Sequence, residues 1–180
     1  MRSYRLNRFA IYMLVMMLSL SLIAPSISAD CAGNALGNGG FEGSFSDRAD
    51  GQIYVADGWG YFYQNGPFSE DGLNVRPTFG QEKNGSRIRE GAVSQAFGMT
   101  YSTHNAGIYQ QVQVASGSQV TLSAWALAWS STGDDTNTST GGQYYLSVGI
   151  DPTGGTDWSA SSVVWSAENM TLEIGRAAGR

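Results

Sequence analysis

One stretch constrains the fold more than any other: Gly107 to Trp129, GIYQQVQVASGSQVTLSAWALAW. Ile108, Gln110, Val112 and Val114 alternate with Tyr109, Gln111, Gln113 and Ala115, as side chains alternate along a strand. Ala115 to Ser118 then interrupts the run with turn residues, and Gly117 can take the positive φ that other residues resist. The run resumes from Val120 to Trp129. Trp125, Leu127 and Trp129 fall on one face there, and Ala124, Ala126 and Ala128 on the other. The pattern predicts a β-hairpin with one bulky face and one flat face, with the rest of the chain built to cover the bulky one.

Other segments repeat this two-residue period. Trp59, Tyr61 and Tyr63 share one face of WGYFYQ, while Phe62 points the other way. Val93, Gln95 and Phe97 alternate with Ser94 and Ala96. Ile53 to Val55, Leu73 to Phe79, Ser86 to Glu90, Gln143 to Asp151 and Ser161 to Ser166 are further strand candidates. Asp47 to Gly51 reads as a polar turn, and Ser130 to Gly142 as a long polar loop. No apolar period of 3.6 residues occurs beyond the N-terminal segment. Short strands between turn signals predict an all-β fold, a two-sheet antiparallel sandwich or a barrel.

The N-terminal segment has a different character. Arg2, Arg5 and Arg8 precede an apolar stretch from Phe9 to Ala24 and a small-residue exit ending at Ala29. This is the layout of a secretory signal peptide, helical before its removal. The apolar stretch is short of the roughly 20 residues a spanning helix needs, so no lasting membrane insertion is expected. The expected mature domain is 30–180, secreted. Removing the three signal arginines from ten basic residues leaves seven against fifteen acidic ones, a net of −8. Such a balance argues against nucleic acid, which needs clustered Lys and Arg. Cys31 is the single cysteine, so no disulfide can form within the chain.

Four pieces together resemble the carbohydrate-binding modules of the galactose-binding-like jelly-roll superfamily. They are NGGFE (Asn38 to Glu42), WGYFYQ (Trp59 to Gln64), GIYQQVQVASGSQVTLSAW (Gly107 to Trp125), and VGIDPTGGTD with VVW (Val148 to Asp157, Val163 to Trp165). The resemblance spans most of 30–180. It implies a jelly-roll sandwich without catalysis, binding poly- or oligosaccharide through aromatic rings. It also implies a structural calcium ion, with Glu42 where the family often supplies a carboxylate. The family runs on through two more strands after Trp165. This chain continues as SAENMTLEIGRAAGR, so the resemblance implies that the last one or two strands are missing and that 30–180 is incomplete at its C-terminus.

Sugar binding needs flat apolar rings for the C–H face of a pyranose, with amides and arginines to fix its hydroxyls. Tyr61, Tyr63, Trp129 and Trp158 are the candidate rings, and Trp59 and Trp125 read as core. Arg76, Arg87, Arg89 and Gln111 are the polar companions. Arg87 and Arg89 would share one strand face. Calcium takes six to eight oxygens, and Glu42 with Asp47 is the expected pair of carboxylates. No nucleophile elbow or zinc-protease motif is present, and His104 is the only histidine available to a triad. The expectation is therefore a non-enzymatic module. The alternatives are an adhesion or structural domain of a cell-surface protein, and an N-terminal fragment of a larger secreted glycoside hydrolase.

Overall fold

The computed structural model of the chain describes residues 33–65, 76–98, 104–128, 145–168 and 175–179. The expected signal segment, Cys31, Trp129 and the expected loop at 130–142 lie outside the described residues. All described residues belong to the unit Cys31–Arg180. Their elements are strands and one 3-10 turn: β1 (Phe45–Asp47), β2 (Tyr54–Ala56), β3 (Gly60–Asn65), β4 (Thr78–Glu82), the turn Gly85–Arg87, β5 (Ser94–Gly98), β6 (His104–Tyr109), β7 (Leu122–Ala126), β8 (Gly149–Ile150), β9 (Val164–Trp165) and β10 (Gly175–Gly179). The all-β expectation holds. Among the described residues the strands form five two-stranded antiparallel ladders, β1–β2, β3–β6, β4–β5, β7–β10 and β8–β9, rather than two continuous sheets.

The β1–β2 hairpin follows directly from its turn residues. Asp50 and Gly51 both take positive φ, 54° and 67°, the conformation that Asp-Gly favours between antiparallel strands. Gln52 N–H donates to the Ala49 carbonyl at 3.1 Å. The Asp47 carboxylate accepts from the N–H groups of Ala49 (3.1 Å) and Gly51 (2.8 Å), which fixes the turn from inside.

Ile53 and Val55, 0% exposed, and Phe79, 3% exposed, make the buried core. Ile53 meets Phe79 in a parallel bridge, with Phe79 N–H donating to the Gln52 carbonyl at 2.9 Å. Beyond that bridge one side chain joins the two hairpins. The Gln95 Oε1 accepts from Ala56 N–H (3.0 Å), and its Nε2 donates to the carbonyls of Tyr54 and Gly80 (both 3.1 Å). The primary amide thus satisfies backbone groups that would otherwise be left unpaired near the core. The β3–β6 ladder covers this core with Tyr61, Tyr63, Ala106 and Ile108.

The residues from 34 to 42 cross the domain as a strap. The Gln110 amide holds it like a strand edge: Oε1 accepts from Gly37 N–H (2.8 Å), and Nε2 donates to the carbonyls of Gly37 (3.0 Å) and Gly58 (2.8 Å). Phe41 packs on Trp59 with ring centroids 5.2 Å apart. Trp59 Nε1 donates to the Asn38 carbonyl at 3.2 Å. At its end, Glu42 Oε1 accepts from the N–H groups of Ala92 (3.0 Å) and Val93 (3.2 Å). Gly91 permits this approach. Its φ is +82°, and a Cβ there would overlap the Glu42 carboxylate.

Three expectations are corrected. The turn at Ala115–Ser118 forms, with Gly117 at φ +81° and Ser118 N–H on the Ala115 carbonyl at 3.1 Å. Its flanks do not pair with each other, because β6 pairs with β3 and β7 with β10. Alternation announces a strand but not its partner. Ser86 to Glu90 is not a strand. Asn84 Oδ1 accepts from both the N–H (3.1 Å) and the hydroxyl (2.9 Å) of Ser86, which starts a 3-10 turn instead. The segment after Trp165 contributes β10, which pairs with β7. Trp125, read as core, is 52% exposed.

Candidate functional site

Two Gly-x-aromatic triplets build the site. Gly60-Tyr61-Phe62 opens β3 and Gly107-Ile108-Tyr109 closes β6. The antiparallel register sets Gly60 opposite Tyr109 and Phe62 opposite Gly107. Each ring therefore lies on the bare backbone of the other strand's glycine. A Cβ on Gly107 would come within 2.5 Å of Phe62 Cζ, and one on Gly60 would overlap the Tyr109 ring. Both rings stand on the outer face of the ladder. The inner face carries Tyr61 and Tyr63 to the core.

Trp158 extends this surface by stacking on Phe62, with centroids 5.1 Å apart and planes 14° from parallel. Its loop is held by two carboxylates. Asp157 accepts from the N–H (2.9 Å) and hydroxyl (2.7 Å) of Ser159. Asp151 accepts from the hydroxyl (2.7 Å) and N–H (2.9 Å) of Thr153 and from Gly155 N–H (3.0 Å). The Thr153 hydroxyl and N–H, assisted by Ser162 and Gly155, hold the Asp151 carboxyl below the usual carboxylate range. The Ser159 hydroxyl and N–H do the same for Asp157. Gln111 ties the loop to the ladder, its Nε2 donating to the Gly154 carbonyl at 2.6 Å.

Beside Tyr109 lies an open depression of about 470 Å³, floored by Gly58 and Gly60 and lined by Arg48, Trp59, Tyr61, Tyr109, Gln110 and Gln111. Arg48 reaches it while facing Asp57 at 3.6 Å. Gln111 Oε1 accepts from no group among the described residues and remains an acceptor for a ligand hydroxyl. The combination of aromatic ring, guanidinium and amide is what a sugar needs: a face for its C–H groups and partners for its hydroxyls.

Of the residues expected to bind ligand, Tyr61 and Gln111 line the depression and Trp158 stacks on Phe62 beside it. Tyr61 and Tyr63 stack on each other 6.3 Å apart against the core, and Tyr61 meets Phe79 edge-on at 5.6 Å. Arg76 is held by Asp50 (3.3 Å) and Gln52 (2.8 Å). Arg87 pairs with Glu82 at 3.0 Å, both largely covered. Burial acts to raise the Glu82 carboxyl, but the N–H of Asn84 and the Arg87 guanidinium outweigh it and hold the group below its usual range. Arg89 lies over Trp125, and Trp129 is outside the described residues. Glu42 and Asp47 are engaged by backbone N–H groups as described above. No cluster of three or more metal-ligating side chains occurs among the described residues. The sequence reading missed Tyr109, Phe62 and Arg48 and assigned Trp59 only to packing.

His104 begins β6 opposite Asn65, half-buried. Burial pushes its imidazole below the usual value of 6.5. The folded state thus disfavours the imidazolium, while the unfolded chain protonates freely. Its effect on stability is nil well above about pH 6.5, grows more destabilising as pH falls from there toward the lower folded-state value, and levels off below it. His104→Gln is expected to flatten the decline in melting temperature between about pH 7 and 5. Identical pH profiles for the two proteins would contradict this.

No protein-family model matches the chain, and no match was found among curated proteins or solved structures.

Proposed function

We propose that this protein is a secreted, non-catalytic carbohydrate-binding module whose ligand face is the outer side of the β3–β6 ladder. The observation that carries the reading is the reciprocal seating of Tyr109 on Gly60 and Phe62 on Gly107, which sets two rings beside the depression. Trp158 adds a third ring, and Arg48 and Gln111 supply polar partners. A shallow open site of this kind binds with a Kd of roughly micromolar to millimolar. Calcium is not needed by this reading, because Glu42 and Asp47 already have hydrogen-bond roles in the strap and the first hairpin.

The test is thermal unfolding against a panel of neutral soluble polysaccharides, since a ligand that binds only the native state raises the melting temperature by mass action. A rise with one glycan supports the reading. A cooperative melt that no glycan shifts counts against it. The adhesion or structural alternative draws on a separate observation: Tyr145, Val164 and Trp165 are 56%, 55% and 43% exposed. That is more apolar surface than one short β8–β9 ribbon needs for its own packing.

A further inference from the structure

We infer that Arg89 and Trp125 form a second, separate binding site, one that takes the carboxylate of an acidic sugar. The Arg89 guanidinium lies over the Trp125 ring, 4.6 Å from its centroid. Both residues are exposed, Trp125 at 52%. Arg48, Arg76 and Arg87 each face a carboxylate, Asp57, Asp50 and Glu82. Arg89 faces none among the described residues, although the chain carries fifteen acidic residues against ten basic ones.

A guanidinium that meets no carboxylate among the described residues, and is held in place on an aromatic ring, presents a prepared anion receptor. The ring fixes the planar group by cation–π attraction while its N–H edges stay open to solvent. A carboxylate fits that edge with two parallel hydrogen bonds. An exposed tryptophan beside the receptor offers its remaining surface to the sugar ring that bears the carboxylate. A uronate combines those two features in one residue. This site lies on β7 and the turn before β5, away from the Tyr109 depression, so it stands or falls independently of the neutral-glycan reading.

The test uses calorimetric titration of the protein with tetragalacturonate, its fully methyl-esterified counterpart and a sulfated disaccharide. Binding of the acid form is expected, with the ester and the sulfate weaker. Arg89→Gln should weaken the acid form about tenfold or more, the loss of a charge-assisted pair. Arg89→Lys should fall between, because it keeps the charge and loses the fork. Trp125→Ala should weaken binding as well. Both residues are exposed, so unfolding curves of the variants should overlay the parent's, and binding of a neutral glycan should be unchanged. Absence of tetragalacturonate binding overturns the inference. Equal binding of the ester, stronger binding of the sulfate, or an Arg89→Gln variant that binds as the parent does would each overturn it too.

Discussion

Ile53→Ala is expected to cost about 2–5 kcal/mol, the range for truncating a fully buried aliphatic side chain. Ile53 is 0% exposed and sits in a core of three fully packed apolar side chains with Val55 and Phe79. It is also where the first and second hairpins touch, through the bridge to Phe79. A domain of this size typically has about 5–15 kcal/mol of stability in total. The loss is therefore a large share, and the cavity cannot be filled by neighbours tied into ladders on both sides. Val112→Ala supplies the comparison: Val112 is 37% exposed, and such a change should stay within about 0.5 kcal/mol. Urea denaturation of both variants measures the difference. An Ile53→Ala variant as stable as Val112→Ala would show that the core lies elsewhere.

Gly60→Ala should abolish most neutral-glycan binding while leaving the protein folded. The added methyl overlaps the Tyr109 ring. The backbone of β3 is fixed by its ladder to β6, so relief comes from the side chain, and the ring must swing off the sheet. The depression then loses its aromatic wall. A tenfold fall in affinity, about 1.4 kcal/mol, is the expected minimum. Tyr109→Ala should fall by a similar factor, and the double variant should be little worse than either, because both remove the same ring. Tyr61→Ala is expected to behave differently. Tyr61 packs on Phe79 and Tyr63, so its loss should lower stability first. Isothermal titration with a neutral oligosaccharide, paired with unfolding curves, separates these outcomes. Independent, additive losses in the double variant would contradict the shared-ring explanation.

The local features of this fold were legible because they depend on neighbours in sequence. The polar turn at Asp47 to Gly51 follows from an Asp-Gly pair and an aspartate placed to accept its N–H groups. The division of WGYFYQ into two faces follows from strand alternation. Strand pairing was not legible in the same way. The Gly107 to Trp129 run looked like a self-contained hairpin, yet β6 finds its partner in β3, where each glycine receives the other strand's ring. The signal was present as two Gly-x-aromatic triplets. It becomes informative only when the triplets are set antiparallel, which is a pairwise property that neither segment carries alone.

The candidate site was legible in sequence only in part, for a related reason. Tyr61 and Tyr63 were preferred as ligand rings because they are aromatic and close together. The face they share packs toward the core, with Tyr61 also lining the depression, and the proposed ligand face carries Phe62, Tyr109 and Trp158. Composition cannot say which face of a strand looks inward when both are aromatic. The arginines erred toward the opposite side. Arg48, Arg76 and Arg87 are satisfied by carboxylates that lie 5 to 26 residues away in sequence. Only the fold shows that Arg89 meets none among the described residues.

The most direct test of the central claim is amide and indole chemical-shift mapping of the protein with the neutral glycan that raises its melting temperature. The account predicts shifts confined to Gly60, Tyr109, Gln111 and the Trp158 indole, with Ile53 and Val55 unmoved. Shifts centred on Trp125 or on the β8–β9 ribbon, with the β3–β6 face silent, would contradict it.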